Sequence, residues 1–142
     1  MIKNLFLCTG NSCRSQMAEG WARYLKSDLI EAHSAGTSPQ GLNPLAVKVM
    51  AEAGVDIAGH RSKNVIDLLH IQLDYVITVC DNARESCPLF PGKARIVHRG
   101  FDDPPFLAKH AKSEDEAFVH YRRVRDEVRD YVLTLPEALL VK

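Results

Sequence analysis

The stretch Cys8-Thr9-Gly10-Asn11-Ser12-Cys13-Arg14-Ser15 limits what this 142-residue chain can become more than any other. Before it, Ile2-Lys3-Asn4-Leu5-Phe6-Leu7 reads as a short buried strand; after it, Gln16 to Leu25 repeats apolar residues at helical spacing. The segment therefore reads as strand, tight polar loop, helix start. A loop of this kind turns several backbone N–H groups toward one point, and the positive end of the helix dipole faces the same point, which makes a cradle for an oxyanion. Arg14 adds a planar fork of donors able to grip two oxygens of a tetrahedral anion. Cys8 stands at the strand end with its sulfur entering the same bowl, where a thiolate is expected at neutral pH, placed for in-line attack on the anion's central atom. The plainer alternative is a buried structural cysteine beside a capped helix, and the Cys-x5-Arg-Ser spacing argues against it. A Walker-type phosphate loop does not fit, because no Gly-Lys-Ser/Thr follows.

Composition narrows the partners. Lys plus Arg and Asp plus Glu are both 18, so the formal charge is zero, which points away from nucleic acid or an anionic membrane surface. The length suits one domain over residues 1–142 with a single core. No apolar run is long enough to span a bilayer, and the first residues lack the pattern of an export signal, so a cytoplasmic location is expected. Static disulfides seldom persist there, so Cys8, Cys13, Cys80 and Cys87 call for another use. Their gaps contain no Cys-x2-Cys pair, and the six histidines form no accompanying ligand set, which argues against zinc. Nucleophilic or redox chemistry remains.

The rest of the chain alternates strands with helices. Met17, Ala18, Trp21, Ala22 and Leu25 form the apolar face of the first helix; Ile30 to Ala35 reads as a second strand ending in the turn cluster Gly36-Thr37-Ser38-Pro39. Asn43-Pro44 is an N-cap followed by proline at the first helical position, and Gly54 stops that helix, whose buried face includes Val47, Met50 and Ala53 or close neighbours. A short helix is expected over Val65 to Leu69, a strand over Asp74 to Cys80, and another over Ala94 to His98. Pro104 and Pro105 should keep the segment after Gly100 out of regular structure. A long final helix starts near Ser113, which forms a capping box with Glu116, and buries Phe118, Tyr121, Val124, Val128, Val132 and Leu135. Its Arg122, Arg123, Arg125 and Arg129 read as a solvated face. Alternation of this kind gives a parallel sheet with helices on both faces, with ligands bound beyond the carboxyl ends of the strands. Cys8, Cys80 and Asp102-Asp103 all follow strands and should gather at one edge.

Cys-Thr-Gly-Asn-Ser-Cys-Arg-Ser resembles the phosphate loop shared by low-molecular-weight protein tyrosine phosphatases and thioredoxin-coupled arsenate reductases. The resemblance implies a four-stranded parallel sheet of order 2-1-3-4 in a three-layer α/β sandwich. First and third strands are then neighbours, about 5 Å apart, so Cys8 and Cys80 can meet within disulfide reach. If Asp81 to Ser86 is a short helix, Cys80 and Cys87 start about 10 Å apart, and pairing them requires that turn to come undone. Loop residues Thr9 to Ser15 would bind the anion, with Ser15 donating to the Cys8 thiolate, Asn11 bonding across the loop, and Cys13 structural although open to oxidation. Asp103 matches the family's Asp-Pro acid, with adjacent Asp102 the alternative. Some relatives hold potassium behind the loop; Asn11, Glu19 and Ser34 match that set, but Lys63 stands where an acid would be, so a cation is doubtful and the Lys63 ammonium can supply the charge.

The cysteines divide the two branches. Hydrolysis of a phosphate ester uses one thiolate, an arginine and an acid, whereas reducing arsenate to arsenite takes two electrons, so two thiols must become a disulfide. The resemblance to the reductases runs along nearly the whole chain and assigns the relay to Cys8, Cys80 and Cys87, with electrons from NADPH through thioredoxin reductase and thioredoxin, no tightly bound cofactor, and phosphate as competitor of arsenate. A monomer is expected. The alternatives are a phosphatase working through a Cys8 phosphoenzyme and a non-catalytic redox sensor or phosphopeptide-binding module; Pro104-Pro105-Phe106 lacks the aromatic that such phosphatases carry directly after Asp-Pro.

Overall fold

Strand β1 (Ile2–Cys8) lies at the centre of a four-stranded sheet. It pairs in parallel with β2 (Ile30–Gly36) on one side and β3 (Tyr75–Thr78) on the other, and β4 (Arg95–His98) pairs in parallel with β3. The order β2-β1-β3-β4 is the one that the loop resemblance implied. The computed structural model describes residues 1–80 and 94–140. Cys87 and the short helix expected over 81–86 lie outside the described residues.

Consecutive strand residues point to opposite faces, and Leu5, Phe6 and Leu7 are all fully buried, so the sheet is covered on both sides. Helix α1 (Arg14–Leu25) packs on β1 and β2 through Met17, Ala18, Trp21 and Ala22, as its periodicity required. Helix α2 (Pro44–Glu52) has the expected cap, with Asn43 Oδ1 accepting from the N–H groups of Leu45 (2.9 Å) and Ala46 (3.3 Å). Its buried residues are Ala46, Val49 and Met50, a face turned by one position from the expected one; Val47 and Ala53 flank it. Val65–Leu68 is a single 3-10 turn.

Two expectations fail for physical reasons. Pro104 and Pro105 do not exclude regular structure: they occupy the first two positions of helix α3 (Pro104–Leu107), where a missing N–H costs nothing, and Asp103 is the N-cap residue. The arginines of helix α4 (Glu114–Leu133) are not a solvated row. Arg125 is 13% exposed, donates to the Val49 carbonyl (2.9 Å) and meets Glu52 (3.2 Å), while Arg122 forks onto the same Glu52 (2.7 Å), so they bind α4 to the end of α2. Ser113 caps α4 by accepting from Glu116 N–H, and the Glu116 carboxylate reaches back to the Lys112 N–H. Ala117, Tyr121, Val124, Val128 and Val132 form its buried stripe; Phe118 is only partly buried, and Leu135 is buried beyond the helix end. Helix α5 (Glu137–Leu140) closes the described chain.

Candidate active site

Every carbonyl from Cys8 to Cys13 is fastened on the outer side of the loop. Cys8 O accepts from Thr37 N (3.2 Å), Thr9 O from Ser38 N (2.8 Å), Gly10 O from Gln40 N (2.9 Å) and Ser62 Oγ (2.9 Å). Asn11 O accepts from Gln16 Nε2 (3.1 Å), Ser12 O from Asn43 N (2.9 Å), and Cys13 O from Met17 N (2.9 Å). In a trans peptide the C=O and the following N–H point opposite ways. Fastening the carbonyls outward therefore turns the N–H groups of residues 9–14 inward, which is how a loop becomes an anion nest. Asn11 turns the chain at φ 46°, a left-handed conformation that Asn tolerates.

The inward face opens into a cavity of about 480 Å³ lined by the loop with Gln40, Cys80, Asp103 and Pro105. Cys8 lies at its base, 4% exposed. Its thiol is in hydrogen-bonding contact with Cys80, and that contact, followed by burial, holds the Cys8 pKa well above the ordinary thiol value, against the pull of Arg14 and the Gly10 N–H. The thiolate expected at neutral pH is thus disfavoured at Cys8 by the neighbouring sulfur and by burial. Thr9 Oγ1 lies 3.3 Å from Cys80 Sγ, so the second sulfur is held at the rim of the same bowl. Cys13 is buried within the loop, and burial pushes its thiol far up.

Arg14 Nη1 donates to the Phe101 carbonyl (3.0 Å), and Nη2 lies 3.7 Å from Asp103 Oδ1. Arg14 Nε is buried without a partner. An unmet buried donor costs about 1–3 kcal/mol, and an anion oxygen in the bowl would meet it. Asp103 lines the cavity; Asp102 instead pairs with Arg123 (3.0 Å) on the outside and is 63% exposed.

The family model of the low molecular weight phosphotyrosine protein phosphatases matches residues 3–141. The chain belongs to that family. An arsenate reductase of Shouchella clausii (strain KSM-K16) is 49% identical over 127 residues, 87% of this chain and 86% of that protein. One of Bacillus licheniformis is 47% identical over 134 residues, 93% of each. Solved structures described as an arsenate reductase in oxidized state and in the phosphate binding state superpose with TM-scores of 0.77 and 0.75, at 30% and 29% identity, each covering 95% of this chain and 96% of the other.

Beneath the loop of this low-molecular-weight phosphatase family member lies a buried polar network. Asn11 Nδ2 donates to Ser15 Oγ (2.9 Å) and Ser34 Oγ (3.0 Å), and its Oδ1 accepts from Lys63 N (2.8 Å) and Gln16 Nε2 (3.1 Å). Asn11 bonds across the loop as the resemblance implied, with Ser15 Oγ accepting one of these bonds. Ser34 Oγ donates to Glu19, and the Lys63 ammonium sits 3.7 Å from the same carboxylate, so a side chain brings positive charge to this spot. Burial pulls the Lys63 pKa down and Glu19 pulls it back. Among the described residues no group of three or more His, Cys, Asp or Glu could hold a metal ion, and no helix is long and apolar enough to cross a membrane. Gln16, Gln40 and the Phe101 carbonyl escape the sequence reading, because only the fold brings them to the loop; Gln16 follows Arg14 and Ser15 in the first turn of α1, where another polar residue carries no signal.

Proposed function

We propose that this chain reduces arsenate to arsenite with Cys8 as nucleophile and Cys80, then Cys87, as resolving thiols, and that a thioredoxin-type dithiol, recharged from NADPH, reduces the final disulfide. The observation that carries the reading is the Cys8–Cys80 contact beside an anion cradle, in a chain 49% identical to an arsenate reductase. Arsenate enters as a dianion, takes up the Cys8 proton and lies against the inward N–H groups and Arg14. Cys8 Sγ bonds to arsenic while one oxygen leaves as water, protonated by Asp103. Cys80 then attacks Cys8 Sγ: the S–S bond forms, the S–As bond breaks, and its electron pair stays on arsenic, which becomes As(III) and leaves as arsenite. Cys87 attacks Cys80 Sγ and frees Cys8. Phosphate shares the shape and charge of arsenate and competes, but it cannot accept the electron pair.

Phosphate-ester hydrolysis through Cys8, Arg14 and Asp103 is the second reading, favoured by the family match itself. It gives the Cys80 thiol no task. The deciding experiment follows NADPH oxidation with thioredoxin and thioredoxin reductase, with and without arsenate. Arsenate-dependent consumption is expected, and Cys87→Ser should stop after at most one turnover. Sustained turnover by that variant would refute the relay; hydrolysis of an aryl phosphate with no arsenate-dependent consumption would leave the phosphatase.

A further inference from the structure

Tyr121 lies on α4, outside the anion loop and the cavity lining, yet it is 3% exposed and its hydroxyl stands one residue away from the loop by hydrogen bonds. Its Oη accepts from Asn43 Nδ2 at 3.0 Å. Asn43 has each of its polar side-chain atoms engaged: Oδ1 caps α2 through Leu45 and Ala46 N–H, and Nδ2 is spent on Tyr121. Its backbone N–H holds Ser12 O at 2.9 Å. That bond is the one that turns the Ser12–Cys13 peptide so that the Cys13 N–H faces the bowl. The α2 N–H groups require an acceptor and so set which way the amide faces, and the phenol oxygen, accepting from Nδ2, anchors the other end of the side chain in that pose. Burial raises the phenol's pKa, the Asn43 hydrogen bond pulls it back, and Cys13 and Asp103 add to the rise.

We propose that Tyr121 is a positioning residue for the anion site: through Asn43 it fixes the Ser12–Cys13 peptide and with it one of the donors that the tetrahedral anion meets. The proposal rests on the anion-binding reading of the loop and needs no turnover to test. Tyr121→Phe keeps the ring and its packing while removing the acceptor.

Calorimetric titration of the reduced protein with inorganic phosphate should show three- to tenfold weaker binding in Tyr121→Phe, with a matching rise in KM for arsenate and less than a twofold change in kcat. Asn43→Ser, which retains a capping oxygen but has no amide, should weaken phosphate binding comparably, and the double variant should be no worse than the weaker single one. Unchanged phosphate affinity in Tyr121→Phe, additive effects in the double variant, or a loss confined to kcat would each overturn the proposal. Should the wild type reduce no arsenate while phosphate binding still responds to Tyr121→Phe, the proposal stands and only the reductase reading falls.

Discussion

Gly36→Ala is the sharpest test of the idea that the bowl works because its peptides cannot move. Gly36 ends β2 where the anion loop crosses it. A Cβ at this position would lie 2.5 Å from the Thr9 carbonyl oxygen, 2.9 Å from Asn11 N and 3.1 Å from Asn11 Cβ. These are backbone atoms and the root of a fully buried side chain, so none can swing aside. Ordinary contact begins near 3.4 Å, and the Thr9 carbonyl must therefore retreat by about 0.9 Å. Its bond to Ser38 N (2.8 Å) would stretch, and the Thr9–Gly10 peptide would carry the Gly10 N–H away from Cys8. Overpacking of this kind costs about 1–3 kcal/mol, or about 3 to 10 °C in Tm for a chain of this size. A misplacement near 1 Å at a reacting centre costs about 100-fold in rate. The expected outcome is a kcat/KM for arsenate lowered about 100-fold in the thioredoxin-coupled assay, with phosphate affinity lowered at least about tenfold by calorimetry. A variant with reduced Tm but wild-type kcat/KM and phosphate affinity would show that the loop tolerates displacement, and the reasoning from fixed peptides would fail.

Two further outcomes follow from buried groups. The Cys80 thiol is the foremost cause of the raised Cys8 pKa, so Cys80→Ala should bring that pKa down and speed alkylation of Cys8 by iodoacetamide at pH 8 by about three- to tenfold, with the modified residue assigned by mass spectrometry; slower alkylation would mean that Cys80 supports the thiolate. The same shift has a stability sign: with a folded pKa above the ordinary value of 9.0, Cys8 contributes stability that is complete below that pH and is lost as the pH rises through the folded value, a loss that urea titrations should find smaller in Cys80→Ala. Asn4 is fully buried on β1 with both Nδ2 and Oδ1 unpartnered, so Asn4→Leu should raise stability to urea by about 1–3 kcal/mol and leave phosphate affinity unchanged; a lower midpoint would refute this.

What was legible in the sequence follows from how local each signal is. The first strand, the anion loop and α1 announce themselves by periodicity and by Cys8-to-Ser15 alone, and Asn43-Pro44 marks its helix start by a side chain that acts on its own next turn. Pro104-Pro105 misled because proline has two meanings, breaker inside a helix and favoured opener at its first turn, and only the position of Asp103 as cap decides between them. The α4 arginines misled because a charged row looks the same whether it meets water or the Val49 carbonyl and Glu52 of another helix. Cys8 was placed correctly but its protonation was not, since the decisive neighbour, Cys80, arrives from another strand. Asp103 is favoured over Asp102 in sequence only by the Pro104 that follows it; in the fold, Arg123 of α4 holds Asp102 outward while Asp103 faces the cavity.

Leu7 and Thr78 are register partners on adjacent strands that run the same way. The sheet thereby brings two sulfurs that are remote along the chain to a common shore, with no helix standing between them. The proposed passage of an electron pair across that gap would ask nothing of the strands, which can stay as stiff as catching a tetrahedral guest demands. Parallel pairing here acts as a wiring diagram for the proposed relay, in which one strand terminus would receive the oxidant and the chain following its neighbour would supply the second sulfur.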